Sequence, residues 1–178
     1  LAGFSAAMRI ESLCVVPMSA IGNALSSYTA QNLGAGRADR VTQGYRDANR
    51  MVLLIAVFLC AALELFHSPI IALFLDQAPS PETVATGEHY LQFIGFFFCL
   101  IGFKMAVDGV LRGAGDVRMF TIANLVNLAI RVLLSWFGAP IWGVAVVWYA
   151  VPIGWLANFC ISFAQCRTGA WRTQSLAL

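Results

Sequence analysis

MVLLIAVFLCAALELFHSPIIALFL, residues 51–75, is an almost unbroken run of apolar side chains. A transmembrane helix needs about 20 predominantly apolar residues, because each residue adds 1.5 Å against a hydrocarbon core of about 30 Å. The run is far too long for a transmembrane strand, and its apolar and polar positions do not alternate. It therefore predicts a helix that spans a membrane.

The rest of the chain has the same character. Of its 178 residues 60% are hydrophobic and only 11% are charged, and the mean hydropathy is +0.76, whereas soluble domains carry about 25% charged residues. We expect an all-α polytopic membrane protein with five transmembrane helices, at about 4–30, 51–75, 84–110, 119–138 and 141–165. Residues 1–166 would form a transmembrane lobe and 167–178 a cytoplasmic tail. The net charge of +2, without a basic run, argues against a nucleic-acid partner.

Basic residues alternate between the two ends of the predicted spans. Those that follow the first, third and fifth spans are Arg37, Arg40, Arg46, Arg50, Arg112, Arg118, Arg167 and Arg172. The other loops contain acids and a predicted turn at Gly138-Ala139-Pro140, and they have no Lys or Arg. The positive-inside bias therefore places residue 1 outside and the C-terminus in the cytoplasm. An odd number of crossings that begins outside suggests that further spans precede residue 1.

Two glycine-rich stretches follow predicted spans and share one pattern. The candidate turn residues are Gly34, Gly36, Arg37, Arg112, Gly113 and Gly115. Neither stretch has the Lys-Ser/Thr of a phosphate-binding loop or a preceding strand, so nucleotide binding is not indicated. Glycine commonly ends a helix in the left-handed conformation. We therefore expect two equivalent tight turns on the cytoplasmic side.

These turns and their surroundings resemble the multidrug and toxic compound extrusion (MATE) family of transporters. The resemblance is carried by MRIESL at 8–13, QNLGAGRADR at 31–40, SPIIALFLDQ at 68–77, GEHYLQFIGF at 87–96 and GVLRGAGDV at 109–117, together with Pro17 and Arg131. It is to the second of the family's two six-helix lobes, from about helix 8 to helix 12.

The resemblance implies a secondary transporter of the bacterial inner (plasma) membrane that exports organic cations and drugs. Sodium or protons would be the coupling ion, no other cofactor is implied, and an N-terminal lobe of the same chain would complete the transporter. Two alternatives stay open. A lipid-linked oligosaccharide flippase of the same superfamily would need a basic cavity, and a non-transporting membrane scaffold would bury its polar stripes between helices.

Charged side chains at membrane depth are costly and usually face protein or a water-filled cavity. In the first span, Arg9 and Asn23 belong to a polar stripe that would line a cavity or pack against a neighbour. The stripe follows one face of the helix and consists of Ser5, Arg9, Ser12, Val16, Ser19, Asn23, Ser26 and Ala30. Glu11 lies on another face and needs a cation from another helix, for which Arg131 is the best candidate. A structural ion pair and an ion-coupling site explain Glu11 equally well.

The third and fourth spans carry the other candidates. Lys104, Asp108 and Arg112 follow at i, i+4 and i+8 and predict a ladder of alternating charge. The resemblance implies that an acid on this helix helps to bind the coupling cation, which makes Asp108 a second candidate, although a structural ladder is favoured. The polar side of the fourth span consists of Asn124, Asn127, Arg131 and Ser135.

Other chemistry is not indicated. The five cysteines are odd in number and lack metal-ligand spacing, so we interpret them as small buried hydrophobic residues. Neither His67 nor His89 has a partner at metal spacing, and no serine, histidine and acid arrangement is apparent. We expect neither a metal site nor an enzyme. The aromatic residues Trp136, Trp142, Trp148 and Tyr149 are expected to contribute to a belt at the outer membrane interface.

Overall fold

The computed structural model describes residues 2–75, 80–143 and 145–174. Helices account for nearly all of these residues, and none of them lies in a strand. The helices are α1 (Ala2–Gly34), α2 (Ala38–Ala72), α3 (Pro81–Gly95), α4 (Phe98–Gly113), α5 (Val117–Leu133), α6 (Ala139–Trp142), α7 (Ala145–Thr168) and α8 (Trp171–Gln174). A π-helical turn, Leu134–Gly138, joins α5 to α6. The predicted all-α membrane fold is confirmed.

The predicted third span is a bent pair of helices. The chain breaks between Gly95 and Phe98, and α3 and α4 meet at an angle of 52°. At the start of α1, Gly3 contacts Thr83 of α3, whereas Ser26, near the end of α1, contacts Gly113 of α4. The pair therefore runs alongside most of α1 and counts as one crossing. With α1, α2, the α5–α6 segment and α7, it gives the five candidate spans.

Helices α1 and α4 are parallel and in backbone contact along a glycine seam. A Cβ atom on Gly22 would lie 2.7 Å from the carbonyl oxygen of Met105, and one on Gly109 would collide with the backbone of Gly22. Farther along, one on Gly113 would collide with the carbonyl of Ser26. Small residues allow helices in membranes to approach this closely. The seam fixes α1 and α4 as one unit.

The two glycine-rich turns have the same geometry. Gly36 and Gly115 have φ angles of 70° and 80°. In the first turn, the Arg37 amide donates to the Asn32 carbonyl at 2.7 Å. In the second, the Asp116 amide donates to Leu111 at 2.9 Å. These bonds define a Schellman cap, in which glycine supplies the left-handed residue. The prediction of equivalent turns is confirmed.

Both turns lie at the same end of the bundle, because α1 and α4 are parallel. The end of α7 joins them there. Trp171 of α8 is only 3% exposed and belongs to one apolar cluster with Leu33 of α1, Val41 of α2 and Ala114. The arginine-bearing segments after the first, third and fifth spans are therefore at one end, and the residues after α7 begin with a packed helix.

The helices differ from the predicted spans in three details. The second helix begins at Ala38, so Arg40, Arg46 and Arg50 lie on the same helix as the run at 51–75. The third span is broken, as described above. The predicted turn at Gly138-Ala139-Pro140 is helical, and the chain turns at Gly143, whose φ is 80°. Proline is tolerated in the first turn of a helix, which explains why Pro140 does not end it.

The main core contains an aromatic cluster that sequence analysis had assigned in part to the membrane interface. The ring of Phe4 lies 4.8 Å from that of Tyr90, and Tyr90 lies 5.4 Å from Trp148. Trp148 therefore packs inside, while Trp136 and Trp142 are exposed as a belt requires. All five cysteines are free; four are partly buried and Cys160 is exposed, so the expectation that they are buried is met only in part and fails for Cys160.

Candidate transport site

A polar cavity of about 130 Å³ lies between α1, α4 and α5. These helices correspond to the first, third and fourth predicted spans. The polar residues that line it are Ser19, Asn23, Lys104, Asp108, Arg112 and Asn124. The structure thus brings together five of the residues that the sequence had singled out, from three helices.

Lys104 and Asp108 form an ion pair at the wall of this cavity. Lys104 Nζ lies 3.0 Å from Asp108 Oδ2, and the two side chains are only 12% and 4% exposed. Lys104 also donates to Asn124 Oδ1 at 3.0 Å, which connects α4 to α5. The pair follows from the i, i+4 spacing on one helix. Because both charges are buried, removing one would leave the other buried without a counter-charge.

Asp108 has a second partner that sequence analysis missed. The hydroxyl of Ser162, on α7, donates to Asp108 Oδ1 at 2.7 Å. Ser162 and Asn158 are both fully buried, and their side-chain oxygens are 3.5 Å apart. Among the residues described, Asn158 Nδ2 has no hydrogen-bond partner. Two polar residues four positions apart in an otherwise apolar helix were the available signal.

Arg112 does not continue the charge ladder. Its Nη2 atom donates to Asn23 Oδ1 at 2.9 Å. Its guanidinium carbon lies 5.4 Å from the centre of the Phe120 ring. In the described ranges its only contacts of these kinds are with α1 and α5, and no ion pair with Asp108 is present. The predicted ladder is therefore correct for Lys104 and Asp108 and wrong for Arg112.

Glu11 has a neutral partner instead of the expected arginine. The hydroxyl of Tyr90, on α3, donates to Glu11 Oε2 at 2.7 Å. No basic nitrogen of the described chain lies within 4 Å of this carboxylate, although Arg131 is close enough to attract it electrostatically. The predicted direct ion pair between Glu11 and Arg131 is not formed. Tyr90 is 79 positions away in sequence, and no local pattern identified it.

Arg131 and Asn127 are directed at α7. A Cβ atom on Gly154 would meet Asn127 Oδ1 and would lie 3.0 Å from Arg131 Cγ. The stem of Arg131 thus packs in a groove that glycine opens in α7. Neither residue lines the cavity that contains Lys104. The polar side of the fourth span is therefore divided, with Asn124 facing the cavity and with Asn127 and Arg131 facing α7.

The polar stripe of α1 is open for most of its length. Arg9 and Asn23 are exposed, and so are Ser5, Ser12, Val16 and Ala30, while Ser19 and Ser26 are half-buried. Burial of the whole stripe against a neighbouring helix, one of the two sequence-based alternatives, is not observed in the described residues. The stripe is available to line a cleft or to meet another part of the protein.

Comparisons with known proteins agree with this architecture. The sequence matches the MatE family over residues 1–137. It is 28% identical over 180 residues to the "Probable multidrug resistance protein YpnP" of Bacillus subtilis (strain 168), covering 98% of this chain and 39% of that protein. It is also 26% identical over 153 residues to the "FAD transporter" of Shewanella oneidensis, covering 85% of this chain and 33% of that protein.

A third relative is the "Probable multidrug resistance protein NorM" of Thermotoga maritima. It is 25% identical over 127 residues, which cover 71% of this chain and 27% of the relative. The chain thus spans well under half the length of the curated relatives that it matches.

Proposed function

This chain belongs to the MatE family, and from that premise we propose that it forms part of a secondary transporter that exports organic cations and drugs by antiport with sodium or protons. Two of the relatives described above carry multidrug-resistance names. The single observation that carries the proposal is the polar cavity between α1, α4 and α5, with a buried ion pair in its wall. Transporter sites are typically formed by such polar groups near the middle of the membrane.

We place this chain in the C-terminal lobe, as the order of its motifs suggests. The relatives are more than twice as long as the matched segment, which leaves room for a second lobe. The exposed polar stripe of α1, including Arg9 and Asn23, would then face that lobe across the transport cleft. The arginine-bearing end would face the cytoplasm of a bacterial cell, in accordance with the positive-inside bias.

The contacts of the two candidate acids favour Glu11 as the coupling site. Asp108 already has a cation, because Lys104 lies 3.0 Å from it. Glu11 has only the neutral hydroxyl of Tyr90 in direct contact. A carboxylate without a contacting cation gains more from an incoming sodium ion or proton. Asp108 would instead hold α4 to α7 through Ser162.

Ion binding at Glu11 would change the contacts between helices. A neutralised carboxyl group attracts Arg131 less and is a weaker acceptor for the hydroxyl of Tyr90. Both changes weaken the attraction of Glu11 on α1 to Tyr90 of α3 and to Arg131 of α5. If one arrangement is stabilised by the ion and the other by substrate, the populations of the outward-open and inward-open forms shift, and transport is coupled.

Two other substrate classes and a non-transporting role are the alternatives to the export of organic cations. The FAD transporter relative favours an anionic nucleotide as the second candidate, and Arg112 at the cavity would suit a phosphate. A lipid-linked oligosaccharide flippase would need a more basic cavity, and here Asp108 offsets the charge of Lys104. A non-transporting scaffold fits less well, because the stripe of α1 is exposed.

Transport by the full-length protein in proteoliposomes tests the proposal. Efflux of a fluorescent cation such as ethidium is measured while a sodium or proton gradient is imposed or collapsed. We expect Glu11→Gln to remove the dependence on the gradient, and Asp108→Asn to reduce protein stability while the remaining transport stays coupled. Asp47→Asn, which changes an exposed acid on α2, is the matched control.

If the Glu11→Gln protein exported ethidium at the wild-type level with the same dependence on the gradient, Glu11 would be excluded as the coupling site. If Asp108→Asn also left coupling and stability unchanged, both acids would be dismissed. If the gradient drove efflux of FAD but not of ethidium, an anionic nucleotide would replace organic cations as the proposed substrate.

A further inference from the structure

A second cavity, of about 420 Å³, lies where α2 begins and α7 ends. Its basic residues are Arg46, Arg167 and Arg172, and no acidic residue of the described chain lines it. We propose that this cavity binds the phosphate group of an anionic phospholipid at the membrane surface. The site is separate from the transport cavity and does not depend on the proposed transport activity.

The three arginines are free to bind an anion. In the part of the chain that the structure describes, none of them has a carboxylate within 4 Å. Two acids of α2, Asp39 and Asp47, line a neighbouring groove to which Arg46 also contributes. Asp47 is already paired with Arg50 at 2.9 Å. The cavity therefore has a net positive lining, and Arg167 and Arg172 lie away from the acidic groove that Arg46 borders.

Aromatic rings hold two of these arginines in place. The guanidinium carbon of Arg172 lies 5.2 Å from the centre of the Trp171 ring, and that of Arg167 lies 5.9 Å from the Phe163 ring. Trp171 is 3% exposed, and its indole donates to the Cys166 carbonyl at 2.7 Å. Stacking uses the faces of a guanidinium and leaves its N–H groups available, so the arginines are preorganised for a phosphate.

The position of the cavity favours a lipid over a free anion. It lies at the end of the bundle that carries the arginine-bearing turns, where spanning helices leave the hydrocarbon. The partly exposed Phe163 shares its lining with the arginines and with the buried side chains of Val41 and Val110. A lipid presents a phosphate next to a glycerol and acyl chains, which matches this mixed surface. Basic pockets between transmembrane helices bind lipid headgroups in this way.

Lipid binding to the full-length protein in detergent tests the assignment. Native mass spectrometry gives the affinities for phosphatidylglycerol and phosphatidylcholine with the same acyl chains. We expect the wild-type protein to prefer phosphatidylglycerol. Each arginine near an anionic headgroup contributes about a fivefold preference, so Arg167→Gln combined with Arg172→Gln should lower the preference by about 25-fold. Arg46→Gln, on the opposite wall, should lower it by about fivefold.

Arg118→Gln is the matched control. It removes one exposed positive charge at the same end of the bundle, on α5, from a residue that does not line the cavity. We expect this variant to keep the wild-type preference within about twofold. Size-exclusion chromatography of every variant establishes that it is folded.

Equal losses of preference in Arg118→Gln and Arg46→Gln would overturn the proposal, since general surface charge would then explain the binding. Inorganic phosphate provides the second arm. If millimolar phosphate displaces phosphatidylglycerol and binds equally well without lipid, the ligand is a free anion and the lipid assignment is wrong. Displacement only by anionic lipid supports it.

Discussion

Gly34 and Gly113 occupy the same position in two copies of one turn, yet their replacement by alanine should change the free energy of unfolding in opposite directions. Each is the last residue of its helix before the cap. A Cβ atom on Gly34 would meet nothing within 4 Å. One on Gly113 would collide with the carbonyl oxygen of Ser26 and would lie 2.7 Å from Thr29 Cβ. The difference is caused by the contact between α1 and α4.

Two contributions determine the expected change in the free energy of unfolding of each alanine variant. Alanine in place of a helical glycine stabilises by about 0.5–1 kcal/mol. Forcing an extra methyl group into a packed contact costs about 1–3 kcal/mol, and at Gly113 a backbone carbonyl cannot rotate away. Gly34→Ala should therefore raise the free energy of unfolding by about 0.5–1 kcal/mol, and Gly113→Ala should lower it by about 1–2 kcal/mol.

Equilibrium denaturation of the full-length protein in mixed micelles, followed by helical circular dichroism, measures both values. Gly34→Ala serves as the matched control for Gly113→Ala, because the two changes are chemically identical. A Gly113→Ala protein as stable as the wild type would show that α1 and α4 are not in backbone contact there, and the reasoning would fail.

Two further changes test the buried polar contacts. Lys104→Met should lower the free energy of unfolding by about 3–5 kcal/mol, because it leaves Asp108 buried without a cation; the double variant Lys104→Met/Asp108→Leu should recover most of this loss, and equal stability of the single and double variants would contradict the ion pair. Tyr90→Phe removes the donor that stabilises the free Glu11 carboxylate, so the ion concentration for half-maximal transport should fall by about tenfold. Transport assays at varied ion concentration measure that shift, the exposed Tyr149→Phe is the control, and an unchanged ion dependence would exclude a role for Tyr90.

Hydropathy predicted most of the fold, because each helix that crosses a membrane needs an apolar stretch as long as the hydrocarbon core is thick. The run at 51–75 and its four counterparts all lie on helices that are candidate membrane spans, and the repeated glycines predicted two equal turns. The break near Phe97 was not predicted, since its neighbours are as apolar as the helices on either side. The turn near Pro140 was misplaced because proline and glycine also occur within helices when the local geometry accommodates them.

In the candidate site, only the contact between residues close together in sequence was predictable. The contact between Lys104 and Asp108 follows from their spacing on one helix. Arg112, four residues farther, bonds to Asn23 on another helix, and such a choice depends on packing that a single sequence does not reveal. The partners Tyr90 and Ser162 likewise come from distant helices, so their roles emerge only when the helices are placed together.

The glycine seam has a mechanical consequence. Side chains between two helices can rotate and absorb a small displacement, but backbones in direct contact cannot. A movement of the part of α1 that contains Gly22 and Ser26 must therefore carry α4, and with it Asp108, in the same direction. Helices α5 and α7, which supply Arg131 and Ser162, are outside this pair and can move relative to it.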